Sequence, residues 1–280
     1  MKRLFLRFPG GLSHALTLSY DDGVETDRRL IEIMRENGLK GTFNLDSGLY
    51  APEGTVYPAG TIHRRMTRSA CLDTYRDSGM EVALHGAHHP FLTQMPREAM
   101  LAEIASDRRT LENDFGTLVR GAAYPFGDYN DDVVEALRLS GVAYCRTTVS
   151  TEHFDIPTDW LHMPATCHHN NPRLTELSEE FLREEYWGRP RLFYLWGHSY
   201  EFDEKNNWEV IENFAHRMGN RDDIWYATNI EVHDYVEAFR ALRFSLDGDL
   251  VSNPTSLTIW FQHGGEILTL APGETRRLDA

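Results

Sequence analysis

From residue 14 to about residue 230, short apolar runs alternate with amphipathic stretches. HALTLSY (14–20) reads as a strand that stops abruptly at DDG. Residues 25–37 space Leu30, Ile31, Ile33 and Met34 like a helix, with Gly38 as its stop. KGTFNL and MEVALHG read as strands, with a helix over 68–78 between them. Pro96 opens a long helix, because the first turn has no use for the N–H that proline lacks. LVRGAAYP, VAYCRTT, RLFYLWGHS and DIWYATN read as further strands. The helices between and after them are NDDVVEALRLSG with its Asn/Asp cap, LTELSEEFLREEYW, NNWEVIENFAHRMG and VHDYVEAFRAL. Residues 151–173 are irregular and rich in His, Pro and Asn.

Strand–helix alternation of this kind predicts a parallel α/β architecture, and about seven units suit a barrel. The polar residues favour the barrel over an open sheet. DDG, HGAHHP, YPFG and WGHS each sit where an apolar strand ends, and a barrel gathers those ends at one mouth. After residue 240 the texture changes to short alternating runs split by DG, NP, HGG and PG, which are hairpin signals. The expected organisation is a barrel over 1–240 and a small antiparallel β appendage over 241–280.

Composition narrows the function. Asp and Glu number 43 against 28 Lys and Arg, a net charge of −15. Phosphate backbones and anionic membranes are bound by clustered cations, so nucleic acid and membrane surfaces are not expected partners. Three scattered cysteines, Cys71, Cys145 and Cys167, make no disulfide framework. The opening MKRLFLRFPGG holds only LFL between its charges, and a cytoplasmic protein is the expectation. Glycine-rich phosphate loops and a G-x-S-x-G elbow are absent.

Asp21 and Asp22 end a strand side by side. Adjacent carboxylates point different ways, so one can bind a metal while the other stays free as a base. His85 and His89, four apart after another strand, bring two imidazoles to one side. Either pair alone has an ordinary reading, as a turn or as two of 13 histidines. Together they make three protein ligands with open positions, the set of a catalytic divalent metal.

SYDDG resembles the first motif of the polysaccharide deacetylases, the NodB-homology group or carbohydrate esterase family 4. HGAHHP is similar to that family's second motif, AAYPFG (122–127) to its third and LWGH (195–198) to its last. The resemblance implies a distorted (β/α)7 barrel. It makes Asp21 the catalytic base and Asp22, His85 and His89 the ligands of one divalent ion, with zinc as the expected metal. It assigns the Phe126 N–H to the oxyanion and His198 to the acid that protonates the departing amine. Tyr124, Trp196 and His168 flank these motifs and are candidate substrate contacts, since aromatic faces pack against sugar rings.

The sequence departs from the family where an Arg normally orients the base, and here stands Ala123. Arg146 or Arg173 are candidate substitutes, while Arg120 falls on the other face of its strand. His88 is an alternative ligand to His89. Asp155 and Asp159 are candidates to tune the acid. The expected activity is N-deacetylation of an acetylated amino sugar or related carbohydrate. The alternatives are a small-molecule amidase opening a cyclic imide or ureide, and a sugar-binding module without chemistry.

Overall fold

The structure, a computed structural model, describes residues 4–183 and 188–278. Its centre is a sheet of parallel strands: β2 (His14–Asp21), β3 (Gly41–Leu45), β4 (Glu81–Leu84), β5 (Gly121–Ala123) and β6 (Tyr144–Ser150) follow one another in space. The last of these pairs with β7 (Met163–Ala165), while β8 (Cys167–His168) pairs with β9 (Arg191–Gly197), and β9 returns to β2. β7 and β8 lie one residue apart in the chain, so residues 163–168 bridge the two ends of the sheet. With that segment counted once, seven strands make a nearly closed barrel. β10 (Ile224–Tyr226) adds a short pairing beside the start of β2. β4 and β5 share a single paired position, Leu84 with Ala122, and the pairing of β6 with β7 shifts register between Arg146 and Ser150.

The strands carry the period-two alternation that such a closure needs. On β2, Leu16, Leu18 and Tyr20 pack outward in the main apolar core, under helices such as α1 (Asp27–Glu36), which buries Leu30, Ile31 and Met34. The other parity, Thr17, Ser19 and Asp21, points into the lumen, where it is met by polar groups. Thr17 donates to Asn229 Oδ1 at 2.8 Å, and Asn44 Nδ2 bonds both Ser19 Oγ and Asp21 Oδ1 at 2.8 Å. Thr17, Ser19 and Asp21 are therefore lumen residues that bond to polar neighbours there.

Several helices are capped at their starts, and the last one begins at Asn229, three residues before the expected Val232 and inside the run expected as strand. Asn130 accepts from the Val133 N–H at 3.0 Å and opens α4 (Asp131–Leu139). Thr228 and Glu231 form a reciprocal capping box on α8 (Asn229–Arg240). The helix expected over 174–187 is seen as α5 (Leu174–Phe181), and residues 184–187 lie outside the described ones. No helix among the described residues is long and apolar enough to cross a membrane.

Past residue 240 the chain forms small antiparallel sheets. Ile259–His263 pairs with Glu266–Leu270 and also with β1 (Leu4–Arg7), so the first described strand lies in this layer too. Ile259, Phe261 and Leu270 are fully buried there, in a second apolar cluster with Phe8, Tyr235 and Val236.

Candidate metal and catalytic centre

Every candidate residue of the mouth follows from where its strand stops. Asp21 is the last residue of β2, Asp46 follows β3, His85 follows β4, and His198 follows β9. The backbone there is unusual. Asp22, His89 and Phe126 have φ of 85°, 50° and 58°, in the left-handed region that non-glycine residues avoid. Each costs on the order of 1–3 kcal/mol, and two of them, Asp22 and His89, belong to one cluster of donor atoms.

Asp22, Asp46, His85 and His89 bring ligand atoms within 4.8 Å of one another. His85 donates through Nδ1 to the Ala123 carbonyl at 2.9 Å, which leaves Nε2 facing the group. Burial pushes both imidazoles down, His89 to about 4, so at neutral pH they carry free lone pairs. Burial would push Asp22 up, but the His63 hydrogen bond, then His85 and Arg65, outweigh it and hold the carboxyl well below its usual range. Asp46 Oδ1 is buried without a hydrogen-bond partner among the described residues. Two neutral imidazoles, an ionised carboxylate and an orphaned carboxylate oxygen fit a divalent cation of the zinc type.

Asp21 is 2% exposed and sits apart from that set. Its Oδ1 accepts from Asn44, and its Oδ2 accepts from Arg146. Its Oδ2 also lies 3.8 Å from His85 Nε2 and 3.7 Å from His198 Nε2. Burial raises its pKa, and Arg146, then His85 and His198, reverse that to a net depression. The Arg146 guanidinium is itself buried and lies over the Trp196 ring at 4.2 Å. Arg146 is the direct register partner of Ala123, so the cation comes from the adjacent strand at the same level of the barrel. Arg173 lies elsewhere, paired with Glu152 and Glu176, and Arg120 pairs with Asp234.

His198 bonds Glu201 Oε1 through Nδ1 at 2.9 Å, leaving Nε2 toward Asp21. Burial lowers its pKa, but Glu201 and then Asp21 and Asp22 raise it above the ordinary value. Glu201, one turn later on α6 (Tyr200–Glu204), occupies the tuning position considered for Asp155 and Asp159. Asp159 instead pairs with His162 at 2.7 Å and caps the turn at Leu161.

Phe126 stands in the Pro125–Gly127 turn, its ring stacked on Phe91 at 4.0 Å and edge-on to His89 at 4.3 Å. Trp196 and His168 lie on the opposite wall, ring centroids 4.6 Å apart. Tyr124 is not at the mouth. It is 2% exposed, its hydroxyl bonds the Leu161 carbonyl at 2.7 Å, and its ring stacks on Tyr129. His88 also points away, bound to Glu103 at 3.0 Å, and leaves His89 at the cluster.

Sequence reading passed over Asp46, His63, Arg65, Asn44 and Glu201. His63 Nε2 lies 3.1 Å from Asp22 Oδ2, and Arg65 bonds Asp22 and Asp46 together. His63 and Arg65 come from the loop between β3 and α2 (Arg68–Tyr75), where no periodicity marks a position. Glu201 had a local signal, an acid three residues after His198 at the start of a helix.

The family model for polysaccharide deacetylase matches residues 11–145. Chitin deacetylase 1 of Cryptococcus neoformans var. grubii is 28% identical over 117 residues, 41% of this chain and 22% of that protein. The match thus spans about a fifth of that relative's length. A protein from Mycobacterium smegmatis assigned to the polysaccharide deacetylases superposes with a TM-score of 0.58 at 16% identity, covering 86% of this chain and 96% of that one. A family 4 carbohydrate esterase from Streptomyces lividans, in complex with acetate, gives 0.49 at 19% identity over 74% and 88%. Residues 11–145, just under half of the chain, thus match the polysaccharide deacetylase family, and the barrel around them has the fold of the Mycobacterium smegmatis protein.

Proposed function

We propose that the chain is a metal-dependent amide hydrolase that removes the acetyl group from an N-acetylated amino sugar or a related carbohydrate. The observation that carries this reading is the division of labour between Asp21 and Asp22. Asp22 lies in a donor set with His85 and His89, while Asp21 lies outside it, ionised, between Arg146 and His198.

Asp22, His85 and His89 would hold the ion, with zinc as our choice and Asp46 within reach. When bound, a divalent ion polarises the amide carbonyl and lowers the pKa of water to about 7. Asp21 takes the proton of the attacking water at Oδ2. Arg146 keeps that carboxylate charged and fixes its rotamer. The Phe126 N–H, turned by its left-handed backbone, donates to the oxygen that gains charge. His198 gives a proton from Nε2 to the departing nitrogen, while its Nδ1–H stays bonded to Glu201; exchange with solvent then returns a proton to His198 and removes the one taken by Asp21. Three buried, unpaired cysteines suit a reducing compartment, where a soluble sugar or lipid-linked precursor is the natural substrate.

The test is to count metal in the purified chain and assay acetate release from N-acetylated sugars before and after chelation. One ion per chain with chelation-sensitive release supports the reading. In Asp21→Asn and in His198→Ala, kcat should fall by roughly 10²–10⁴-fold while the ion on the Asp22–His85–His89 set is retained. A fully active Asp21→Asn would end the assignment of the base. Metal without acetate release, joined to hydrolysis of a cyclic imide, would replace the sugar with a ureide-type substrate.

A further inference from the structure

A second group of donors stands across the mouth from the first. Glu201 Oε1 lies 2.9 Å from His198 Nδ1 and 3.5 Å from His168 Nε2, and the three ligand atoms fall within 4.8 Å of one another. A zinc ion at about 2.0–2.1 Å from each tetrahedral ligand sets those ligands roughly 3.3 Å apart. The present spacing is close to that without any movement of backbone.

The carboxylate is built in. Its other oxygen, Oε2, is fixed by His169 Nε2 at 3.2 Å and by Asn170 Nδ2. His169 is fully buried, held against Tyr20 and Phe202. It packs there only because residue 197 is glycine, where a Cβ would lie 2.1 Å from His169 Nδ1. Oε1 is thereby aimed at the two remaining imidazoles. The side chains of His168 and His198 are each 22% exposed, so solution ions reach them. Supporting hydrogen bonds that fix a ligand's orientation are what distinguish a metal site from a chance cluster.

We propose that His168, His198 and Glu201 form a second, weaker divalent-cation site, and that filling it silences the enzyme. A cation on His198 Nδ1 takes the place of the proton that Glu201 accepts there. The ring then stays neutral, and the one proton it keeps, on Nε2 facing Asp21, is held far more tightly than that of an imidazolium, so it is not given up to the departing nitrogen. Activity should rise as the Asp22–His85–His89 set fills and fall as the second set fills. The inhibitory half rests on the acid role given to His198 above; the binding half does not.

The experiment is equilibrium dialysis of the full chain against zinc chloride from nanomolar to millimolar, with metal counted per chain and acetate release followed in parallel. Two binding classes are expected. His168→Ala should lose the weaker class and keep the tighter one. Its inhibition by zinc should move up by at least roughly tenfold, relative to its own maximum. His168→Phe, which keeps a ring against Trp196, serves where the alanine variant folds poorly. A single ion per chain up to millimolar zinc would overturn the proposal. So would a weaker class that survives both His168→Ala and Glu201→Gln. His85→Ala separates the two readings. There the tight class should vanish and the weak one remain, whatever the sugar assays give.

Discussion

At the residue scale, the barrel solves one electrostatic problem by position. Asp21 is buried, and a buried carboxylate without a partner would give up its charge. The cation that family members place at 123 is supplied by Arg146, its register partner on the next strand. Arg146→Met should therefore cut kcat by roughly 10²-fold or more while metal content holds, and Arg146→Lys should recover part of it. An Arg146→Met enzyme at wild-type rate would show that Asp21 needs no cation.

Asp27 illustrates the opposite case. It is fully buried, and burial pushes its carboxyl up to about 7, against the pull of Ser199, Tyr75 and the Val24 N–H. Between about pH 4 and pH 7 the folded chain then holds a proton that the unfolded chain has released. Stability present below the unfolded value is lost as pH rises through that window, at a slope of up to about 1.4 kcal/mol per pH unit. Asp27→Asn removes this contribution, since an amide stays neutral and can still face the Ser199 hydroxyl. Urea midpoints of wild type and Asp27→Asn, compared near pH 5 and near pH 7, should converge or cross as pH rises. Parallel pH profiles would mean that Asp27 is ionised throughout.

At the scale of elements, the strands with long apolar bodies and the helices with caps were legible, because periodicity and termini are local signals. So were the motifs at the strand ends, since the barrel needs only a strand stop to place a residue at its mouth. What could not be read was the closure. Residues 163–168 carry two and three residues of strand, too short for alternation to register, and they sit in a stretch whose His, Pro and Asn content reads as loop. Arg146 was open to guess but not to decision, since its partner depends on register. The loop that brings His63 and Arg65 to Asp22 has no periodicity at all.

The closure also makes its own prediction. Thr166 stands between β7 and β8, and its side chain does what a strand backbone does elsewhere. Its Oγ1 accepts from the Tyr194 N–H at 3.0 Å, while its N–H bonds the Tyr194 carbonyl at 2.9 Å. Thr166→Val keeps the shape and strands the Tyr194 N–H, at a cost of about 1–3 kcal/mol. Thr166→Ser should cost less, because the acceptor remains. Denaturant midpoints for the two variants check the order, and equal values would remove the hydroxyl from the account of barrel closure.

At the scale of the whole molecule, the C-terminal sheets and the barrel share a core. Tyr235 on α8 donates its hydroxyl to the Arg7 carbonyl at 2.9 Å and accepts from the Trp260 N–H at 3.0 Å, so it joins the helix to two strands of the outer layer. Leu6, Phe8 and Val236 pack in the same cluster as Ile259, Phe261 and Leu270. A chain ending at Arg240 would lose those last three side chains, each fully buried and each contributing roughly 1.5–3 kcal/mol. Together that is about 5–9 kcal/mol, comparable with the roughly 5–15 kcal/mol by which a domain is stable at all. It would also leave β1 without its partner strand and Phe8 open to water. The truncated chain is therefore expected to lose most of its soluble yield, and what remains should unfold at a much lower urea concentration. The first bonds cut by a protease should lie near β1 and α8, not at the mouth of the barrel. If the shortened chain instead kept the full-length midpoint, the shared cluster would be an incidental contact between two independent units, and the appendage would be free to have been added for a purpose other than completing the barrel's core.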